Sequence, residues 1–314
     1  MTMVSIPRAI LLMGPTGAGK TDLAIELATE LPLEIVSVDS AMVYRGLDIG
    51  TGKPDRTTLV RVPHHLVDIL DPSESYSAGQ FVRDAVRLMG EIHARGRVPL
   101  FVGGTMLYFR ALTRGIAELP SADPAIRTAI DAAGREQGWP AMHARLQAID
   151  PVAAARILPN DAQRLQRALE VHAVTGRPLS QWQAETHPPA PHVQYWRIAW
   201  CPADRAALYE RIEKRFHAML DAGLIDEVRR LYSRPDLTPN LPALRSVGYR
   251  QLWSHLAGEA DYDEAIRAGI LATRHLARRQ LIWLRKEPDA EWIDSLDSAS
   301  FVRMKTTLAR LLMS

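Results

Sequence analysis

The length, composition and charge of the chain are those of an ordinary globular protein. Its 314 residues suffice for one large domain or two smaller ones, and 47% of them are hydrophobic. A net charge of +2 is too small to predict a polyanionic partner by itself. A single cysteine, Cys201, excludes an internal disulfide framework, and no apolar stretch approaches the ~20 residues that span a bilayer. We therefore expect a cytoplasmic protein that is not inserted in a membrane.

A glycine-rich loop near the beginning of the chain predicts a phosphate-binding site. Residues 9–13 have the pattern of a buried strand, residues 22–31 that of a helix, and the loop between them reads G-x-x-x-x-G-K-T. Backbone N–H groups and the helix N-terminus favour an anion there. We expect the lysine to reach the outer phosphates and the last threonine to bind Mg²⁺ through its hydroxyl. The loop consists of Gly14, Pro15, Thr16, Gly17, Ala18, Gly19, Lys20 and Thr21.

Strand and helix patterns alternate over the next hundred residues, which predicts a parallel sheet with helices on its faces. Strands are expected at 33–38, 65–69 and 98–102, and helices at 78–95 and from Thr105 onward. Ligands of such sheets bind at the carboxyl ends of the strands. Residues 14–21, 39–40 and 103–105 should therefore converge.

The second part of the sequence changes character near residue 120. Helix patterns without a convincing strand continue to about 191, among them a helix at 161–175 with Asn160 as its cap. Strands are expected again at 195–200 and 291–294, with helices between them. The predicted fold is α/β: a P-loop NTPase-like parallel-sheet core with an inserted all-helical domain and a mainly helical C-terminal part. The expected limits are 1–120 with 196–314 for the core and 121–195 for the insertion.

Two polar positions follow predicted strands and suggest chemistry. Asp39 is interpreted as a Mg²⁺ ligand, a general base or a cap for the next turn, because a carboxylate beside bound phosphate is costly without such a role. Thr105, after two glycines, either binds a ligand or caps the next helix.

Basic residues are concentrated in residues 265–286, which contain no acidic side chain. At about 100° per residue, four arginines fall near one azimuth of a helix and favour an anionic partner: Arg267, Arg274, Arg278 and Arg285. We expect Trp283 to pack in the core instead of stacking on a base. Gln163, Arg164 and Arg167 form a second basic patch, and the helix with Arg211, Lys214 and Arg215 is expected to pair with Glu213 or reach the phosphates.

Taken together, these motifs resemble the bacterial tRNA dimethylallyltransferase family, a group of P-loop prenyltransferases. The matching segments run in family order over nearly the whole chain: 14–21, 38–54, 64–72, 103–112, 119–124, 160–171, 210–220, 245–253 and 278–286. The family loop more often has Ala-Ser where this chain has Gly17-Ala18. This departure leaves the Gly19-Lys20-Thr21 core intact.

The resemblance implies Mg²⁺-dependent transfer of a dimethylallyl group from dimethylallyl diphosphate to N6 of the adenine next to a tRNA anticodon. The loop 14–21 would hold the diphosphate, with Thr21 at the metal, Arg215 would stabilise the leaving group, Asp39 would accept the N6 proton and Thr105 would place the base. We expect a monomer. The residues that would contact the tRNA anticodon stem-loop are Asp39, Ser40, Ala41, Met42, Thr105, Arg127, Gln163, Arg164, Leu165, Gln166, Arg167, Arg245, Ser246, Val247, Gly248, Tyr249, Arg250, Arg278, Arg279, Gln280, Leu281, Ile282, Trp283, Leu284 and Arg285.

Three other functions use the same phosphate loop. A small-molecule or nucleotide kinase would place ATP there and use Asp39 to activate a hydroxyl, but leaves the arginine-rich segment unexplained. A prenyltransferase for free adenine nucleotides needs no long RNA surface. A non-catalytic RNA-binding protein would use the loop as a nucleotide switch.

Overall fold

The computed structural model describes residues 8–190 and 192–313; the parts of the predicted segments at 1–7, 191 and 314 lie outside the described residues. Six parallel strands form one sheet in the order β3-β2-β4-β1-β5-β6. The predicted α/β class is confirmed. The strands are β1 Arg8–Met13, β2 Leu33–Val38, β3 His64–His65, β4 Val98–Gly103, β5 Gln194–Cys201 and β6 Glu291–Asp294.

The helices of the described residues are α1 Lys20–Glu30, α2 Arg56–Arg61, α3 Ala78–Ala94, α4 Met106–Arg114, α5 Pro124–Gln137, α6 Trp139–Ile149, α7 Pro151–Ala154, α8 Ala162–Thr175, α9 Leu179–Ala184, α10 Arg205–Asp221, α11 Leu224–Tyr232, α12 Tyr249–Leu256, α13 Tyr262–Leu284 and α14 Ser298–Met313. None of them is both long and apolar enough to cross a membrane.

Two local predictions were wrong, each for a conformational reason. Strand β3 ends at His65 instead of 69, because Leu66 and Asp68 have φ values of 62° and 57° and turn the chain away from extended pairing. Helix α8 is capped by Asp161 and not by Asn160: the Asp161 side chain accepts a hydrogen bond from the backbone N–H of Arg164.

The hydrophobic interior explains why the strand ends are held in fixed positions. Strand β1 lies between β4 and β5, with Leu12 opposite Val102 and Ile198, and its residues from Ala9 to Met13 are buried. A second apolar cluster joins the segment that follows β2 to the C-terminal helices, with Tyr44 and Tyr249 among its fully buried members. Burying each such side chain contributes about 1.5–3 kcal/mol. The segment after β2 is therefore fixed by packing as well as by its strand.

The chain separates into two compact units: the residues up to 113 together with those from 190 onward, and residues 114–189. The first unit contains the whole sheet. The second is helical and has its own apolar core, in which Met142, Leu146, Leu165 and Val171 are at most 1% exposed. The sequence-based domain limits, with an insertion at 121–195, stay a prediction.

Candidate active site

The glycine-rich loop follows β1 directly and turns into α1. Gly17 and Gly19 have φ values of 82° and 84°, a conformation that glycine adopts without steric cost. A Cβ atom at Gly14 would lie 2.2 Å from the carbonyl oxygen of Trp200, so this position lies directly against the backbone of β5. Lys20 begins α1, and its ammonium donates a 2.7 Å hydrogen bond to the carbonyl oxygen of Pro15. The sequence pattern and the local backbone therefore agree.

The ammonium of Lys20 is in a poorly solvated position. Burial lowers its pKa to about 8; the nearby Arg215 guanidinium acts in the same direction, whereas the Asp39 carboxylate opposes the shift. A cation that is desolvated and partly destabilised gains free energy when an anion binds beside it. The loop is therefore electrostatically prepared for a phosphate group.

Asp39 and Thr105 meet at the carboxyl ends of two neighbouring strands, β2 and β4. Asp39 Oδ1 accepts hydrogen bonds from the backbone N–H groups of Ala41, at 2.8 Å, and Met42, at 3.3 Å. Thr105 Oγ1 accepts a 3.1 Å hydrogen bond from the backbone N–H of Ser40. The turn-capping alternative for Asp39 is thus realised, and Asp39 and Thr105 line the same cavity.

Two arginines of α10 contact the loops around this cavity. Arg211 Nε donates a 3.0 Å hydrogen bond to the carbonyl oxygen of Gly17, in the phosphate loop. Arg215 lies one turn later and points to the carbonyl oxygen of Thr51 at 3.4 Å. A Cβ atom at Gly52 would be 1.8 Å from Arg215 Nη2, so the guanidinium rests on bare backbone. Burial lowers the pKa of Arg215, and Asp39 acts against that shift.

Glu213, which the sequence offered as an ion-pair partner for these arginines, pairs instead with Arg274 of α13 at 2.6 Å. Lys214 pairs with Glu210, one turn earlier on α10. Arg211 and Arg215 both point toward the loops around the cavity, and the expectation that they reach the phosphates stays a prediction. On the apolar side of this helix, Phe216 is 4% exposed, and Met219 and Leu220 are partly buried against a neighbouring cluster.

Glu227 of α11 holds the segment after β2 in place, a role that was not predicted from the sequence. The carboxylate is 2% exposed and accepts hydrogen bonds from the backbone N–H groups of Asp48, Ile49 and Gly50, at 3.0, 2.9 and 3.1 Å. The Tyr249 hydroxyl donates a further one at 2.5 Å. An acidic residue on the apolar stripe of a short helix was the signal for this role.

Lys53, which belongs to the same segment, stabilises it through hydrogen bonds to other residues of the segment and to Asp68. Its ammonium donates to the carbonyl oxygen of Tyr44 and to the carboxylates of Asp48 and Asp68, at 2.9, 2.6 and 2.5 Å. With its side chain only 2% exposed, this lysine has a structural role. The backbone on which Arg215 rests is therefore fixed by two buried charged groups.

Gln280 of α13 was predicted to contact RNA, but in the structure it contacts the phosphate loop. Its Oε1 accepts a 2.9 Å hydrogen bond from the backbone N–H of Thr16. Its Nε2 donates a 2.9 Å hydrogen bond to the carbonyl oxygen of Gly104. One side chain thus bridges the loop after β1 and the turn after β4.

Two cavities meet at these residues. The smaller, of about 70 Å³, includes Lys20 and Thr21 in its lining, and the larger, of about 560 Å³, extends past Trp283 and Arg279. The expectation that Trp283 lies in the core was wrong: it is half-buried, lines the larger cavity, and has the Arg110 guanidinium 5.8 Å from its ring centroid. Six residues line both cavities: Thr16, Asp39, Thr51, Gly104, Arg215 and Gln280.

The predicted arginine stripe on α13 is interrupted. Arg267, Arg278 and Arg285 are exposed, whereas Arg274 is half-buried, paired with Glu213 and placed 5.6 Å from the ring centroid of Tyr209. Leu281 and Leu284, in the same predicted RNA-contacting segment, are buried. The exposed positive charge of this helix is therefore concentrated toward its C-terminal end, where Arg279 is also exposed.

Residues 245–250 lead into α12, which begins at Tyr249, and they differ in their exposure to solvent. Arg245 and Arg250 are exposed, and Ser246 and Val247 are half-buried in the wall of the larger cavity. Tyr249 is fully buried and bonded to Glu227. Only part of this segment is thus available to a partner molecule.

In the helical unit, the predicted RNA-contacting arginines are ion-paired. Arg127 and Arg167 bind the two oxygens of Glu170 at 2.9 and 2.6 Å, and Glu170 is 0% exposed. Leu165 is buried, and Gln166 donates to Asp131 at 2.6 Å. Gln163 and Arg164 are exposed.

Comparison with known proteins identifies the family. The profile described as IPP transferase matches residues 42–287, and one described as isopentenyl transferase matches residues 7–66. The tRNA dimethylallyltransferase of Thioalkalivibrio sulfidiphilus is 57% identical over 298 residues, which cover 94% of this chain and 93% of that protein. The enzyme of the same name from Bordetella pertussis is 52% identical over 310 residues, covering 98% and 99%.

Solved structures agree with the sequence relatives. The crystal structure of the full-length tRNA isopentenylpyrophosphate transferase from Bacillus halodurans matches with a TM-score of 0.71 and 36% identity, covering 98% of this chain and 97% of that one. A eukaryotic dimethylallyltransferase, described as acting on tRNA, matches with a TM-score of 0.79 and 25% identity, covering 96% and 77%. Because the IPP transferase profile matches residues 42–287 and the two sequence relatives cover 94–98% of the chain at 52–57% identity, the chain belongs to the IPP transferase family.

Proposed function

We propose that this protein transfers a dimethylallyl group from dimethylallyl diphosphate to N6 of the adenine next to the anticodon of tRNA, releasing diphosphate. The observation that carries the proposal is the pair of cavities that share six lining residues, one beside the phosphate loop and one large and partly apolar. Such a pair suits two substrates that react where the cavities meet. The names of the relatives support the same reaction.

The donor's diphosphate would occupy the smaller cavity. Lys20 and the loop N–H groups would hold it, and Arg215 would contact it from the side of α10. As the carbon–oxygen bond of the donor breaks, its electron pair passes to the diphosphate oxygen. Fixed cations that stabilise this growing negative charge lower the barrier, because they need no reorganisation during the reaction.

A Mg²⁺ ion fits this cavity. Mg²⁺ in phosphate sites usually keeps several waters and takes one or two protein oxygens together with phosphate oxygens. The hydroxyl of Thr21, which lines the cavity, is an oxygen donor of that kind. When bound, the ion would neutralise part of the diphosphate charge.

The acceptor adenine would enter through the larger cavity. Its N6 lone pair is delocalised into the ring, so the amine is a poor nucleophile unless its proton is removed as the N–C bond forms. Asp39 would accept that proton, a contribution of roughly 10²–10⁴-fold, and the Thr105 hydroxyl beside it would position the base. An adenine in an anticodon loop is unpaired and can be turned out at modest cost.

The RNA backbone would be held by exposed basic residues. On α13 these are Arg278, Arg279 and Arg285, joined by Arg245 and Arg250. In the helical unit we propose Gln163 and Arg164, with a weaker contribution from Arg127 and Arg167, whose combined charge exceeds that of Glu170 by one. We propose that the protein acts in the cytoplasm. We propose a monomer, because one chain supplies the phosphate loop, Asp39, Thr105 and Arg215.

Incubation with dimethylallyl diphosphate labelled in its five-carbon group tests the proposal. The label should appear in tRNA at the adenine next to the anticodon, and not in AMP added at equal concentration. Label in AMP would indicate a prenyltransferase for free nucleotides. ATP consumption without labelled RNA would indicate a kinase, and binding of RNA without any transfer would indicate a non-catalytic protein.

A further inference from the structure

Gln280 connects three parts of the candidate active site. Its amide oxygen accepts from the backbone N–H of Thr16 and its amide nitrogen donates to the carbonyl oxygen of Gly104, both at 2.9 Å. The residue itself belongs to α13. Thr16 lies 264 residues away in the sequence. A single side chain therefore fixes the separation between the phosphate loop and the turn that carries Thr105.

The position of this amide is fixed by packing as well as by hydrogen bonds. A Cβ atom at Gly104 would lie 2.3 Å from Gln280 Nε2, so the amide lies directly against backbone. An amide with both of its polar ends engaged has one orientation in which both bonds form. We call these two hydrogen bonds of Gln280 the bridge. A movement of α13 would therefore pull on the phosphate loop, on the turn after β4, or on both.

The neighbours of Gln280 on α13 face the other substrate. Arg279 and Trp283 line the larger cavity, and Arg278 and Arg285 are exposed. A helix moves as a unit over one or two turns, because each backbone hydrogen bond links residues four apart. Binding of RNA to these side chains would thus act on the bridge directly, through contiguous contacts.

We propose that Gln280 is a positioning residue that couples binding of RNA on α13 to binding of diphosphate in the loop 14–21. The inference rests on the proposed function, since it takes RNA and a diphosphate as the two ligands. With the bridge intact, docked RNA holds α13 in the position that fixes the phosphate loop at Thr16 and the turn at Gly104. Each ligand therefore raises the affinity for the other by the same factor.

The test measures this factor directly. The dissociation constant of an anticodon stem-loop RNA is determined by fluorescence anisotropy without and with saturating inorganic diphosphate and Mg²⁺, in wild-type protein and in variants. Gln280→Met keeps the side-chain length but removes both hydrogen bonds. Gln280→Glu keeps the acceptor for the Thr16 N–H and loses the donor to Gly104. His275→Gln, at an exposed position of α13 outside both cavities, is the matched control.

We expect diphosphate to tighten RNA binding by about tenfold in wild type and in His275→Gln, within the usual range of coupling between sites. In Gln280→Met the ratio of the RNA dissociation constants without and with diphosphate should fall below about twofold; a merely structural defect would weaken both measurements together and leave this ratio unchanged. Gln280→Glu should also lose coupling, and it decides the matter if the Met variant does not fold. Equal coupling in wild type and both variants, or no coupling in wild type, would overturn this inference alone. Wild-type protein that binds neither ligand would contradict the proposed function as well.

Discussion

Each of the two compact units buries one glutamate almost completely, and the two are satisfied by different partners. Glu227, in the unit with the sheet, accepts hydrogen bonds from three backbone N–H groups and a tyrosine hydroxyl. Glu170, in the helical unit, binds two arginines and the backbone N–H of Asp123. The first carboxylate has neutral partners and shapes a loop, whereas the second neutralises cations.

The cations of the two units also differ in their partners: those of the candidate active site bond to neutral carbonyl oxygens, and those of the helical unit bond to a carboxylate. Lys20, Arg211 and Arg215 donate to backbone carbonyl oxygens in the candidate active site, so their charge is not cancelled in a direct ion pair there. Arg127 and Arg167 have a carboxylate between them. A cation that is bonded to a neutral acceptor can attract an anionic ligand, whereas one in a tight ion pair mainly holds the fold. The cations of the α/β unit that bond to neutral acceptors can thus attract an anion, whereas Arg127 and Arg167 stabilise the packing of the helical unit.

The largest effect should come from the carboxylate beside these cations. Asp39→Asn should lower the rate of transfer by about 10²–10⁴-fold while donor and tRNA still bind, because an amide cannot accept the N6 proton. Single-turnover kinetics with labelled donor measure the rate, and filter binding measures both affinities. Asp123→Asn, at a helix cap of the helical unit, is the control with an unchanged rate. Near-normal transfer by Asp39→Asn would remove it as the base.

Replacing each buried glutamate by glutamine tests whether Glu227 and Glu170 have different roles. Glu227→Gln and Glu170→Gln should each lower the free energy of unfolding by about 2 kcal/mol, because buried donors lose a charged acceptor. Only Glu227→Gln should also weaken use of the donor, by about tenfold, since the loop it holds supports Arg215. Urea unfolding and the donor KM are the two measurements. Equal KM effects of the two variants would contradict the separation of roles.

Reversing positive charge in the unit with the sheet and removing it in the helical unit should weaken RNA binding to different extents. Arg278→Glu combined with Arg285→Glu should weaken tRNA binding by about tenfold and reduce its dependence on salt, because phosphate contacts release counterions. Arg127→Gln should weaken binding by less than about threefold, because its charge is already shared with Glu170. Affinities measured at several salt concentrations distinguish the two variants. An unchanged affinity of the double variant would exclude the end of α13 as an RNA contact.

The smallest expected effect is the loss of stability at acidic pH that results from protonation of Glu170. Burial would raise the pKa of Glu170, but hydrogen bonds from Arg127 and Arg167 outweigh it and hold the pKa below its ordinary value of 4.5. The stability that these contacts contribute is therefore present above pH 4.5 and is lost as the pH falls through the lower, folded-state value. Thermal unfolding between pH 6 and pH 3 should show a steeper loss of stability in wild type than in Glu170→Gln. Parallel curves would contradict this assignment.

Several parts of the fold and the site could be predicted from the sequence because they depend on neighbouring residues. The spacing of the glycines in 14–21 specifies where the chain can adopt positive φ, and the structure has it at Gly17 and Gly19. A run of apolar residues predicted the bounds of β2. Parallel strands bring their carboxyl ends to one edge of the sheet, so residues 39–40 and 103–105 were expected to converge, and Ser40 and Thr105 are hydrogen-bonded there. Local misreadings, at 66–69 and at Asn160, arose where a single backbone conformation or hydrogen bond decided the boundary.

Polar contacts between distant segments were decided by the tertiary structure alone. The family resemblance implied a tRNA contact for Gln280, but only the packing of α13 brought its amide between Thr16 and Gly104. Glu227 and Arg274 obtained their partners in the same way. Sequence patterns encode backbone conformation and the apolar face of each element, and these determined the fold class and the phosphate loop. Which polar side chain meets which group depends on how those faces pack together, and that information is not contained in any local stretch of the chain.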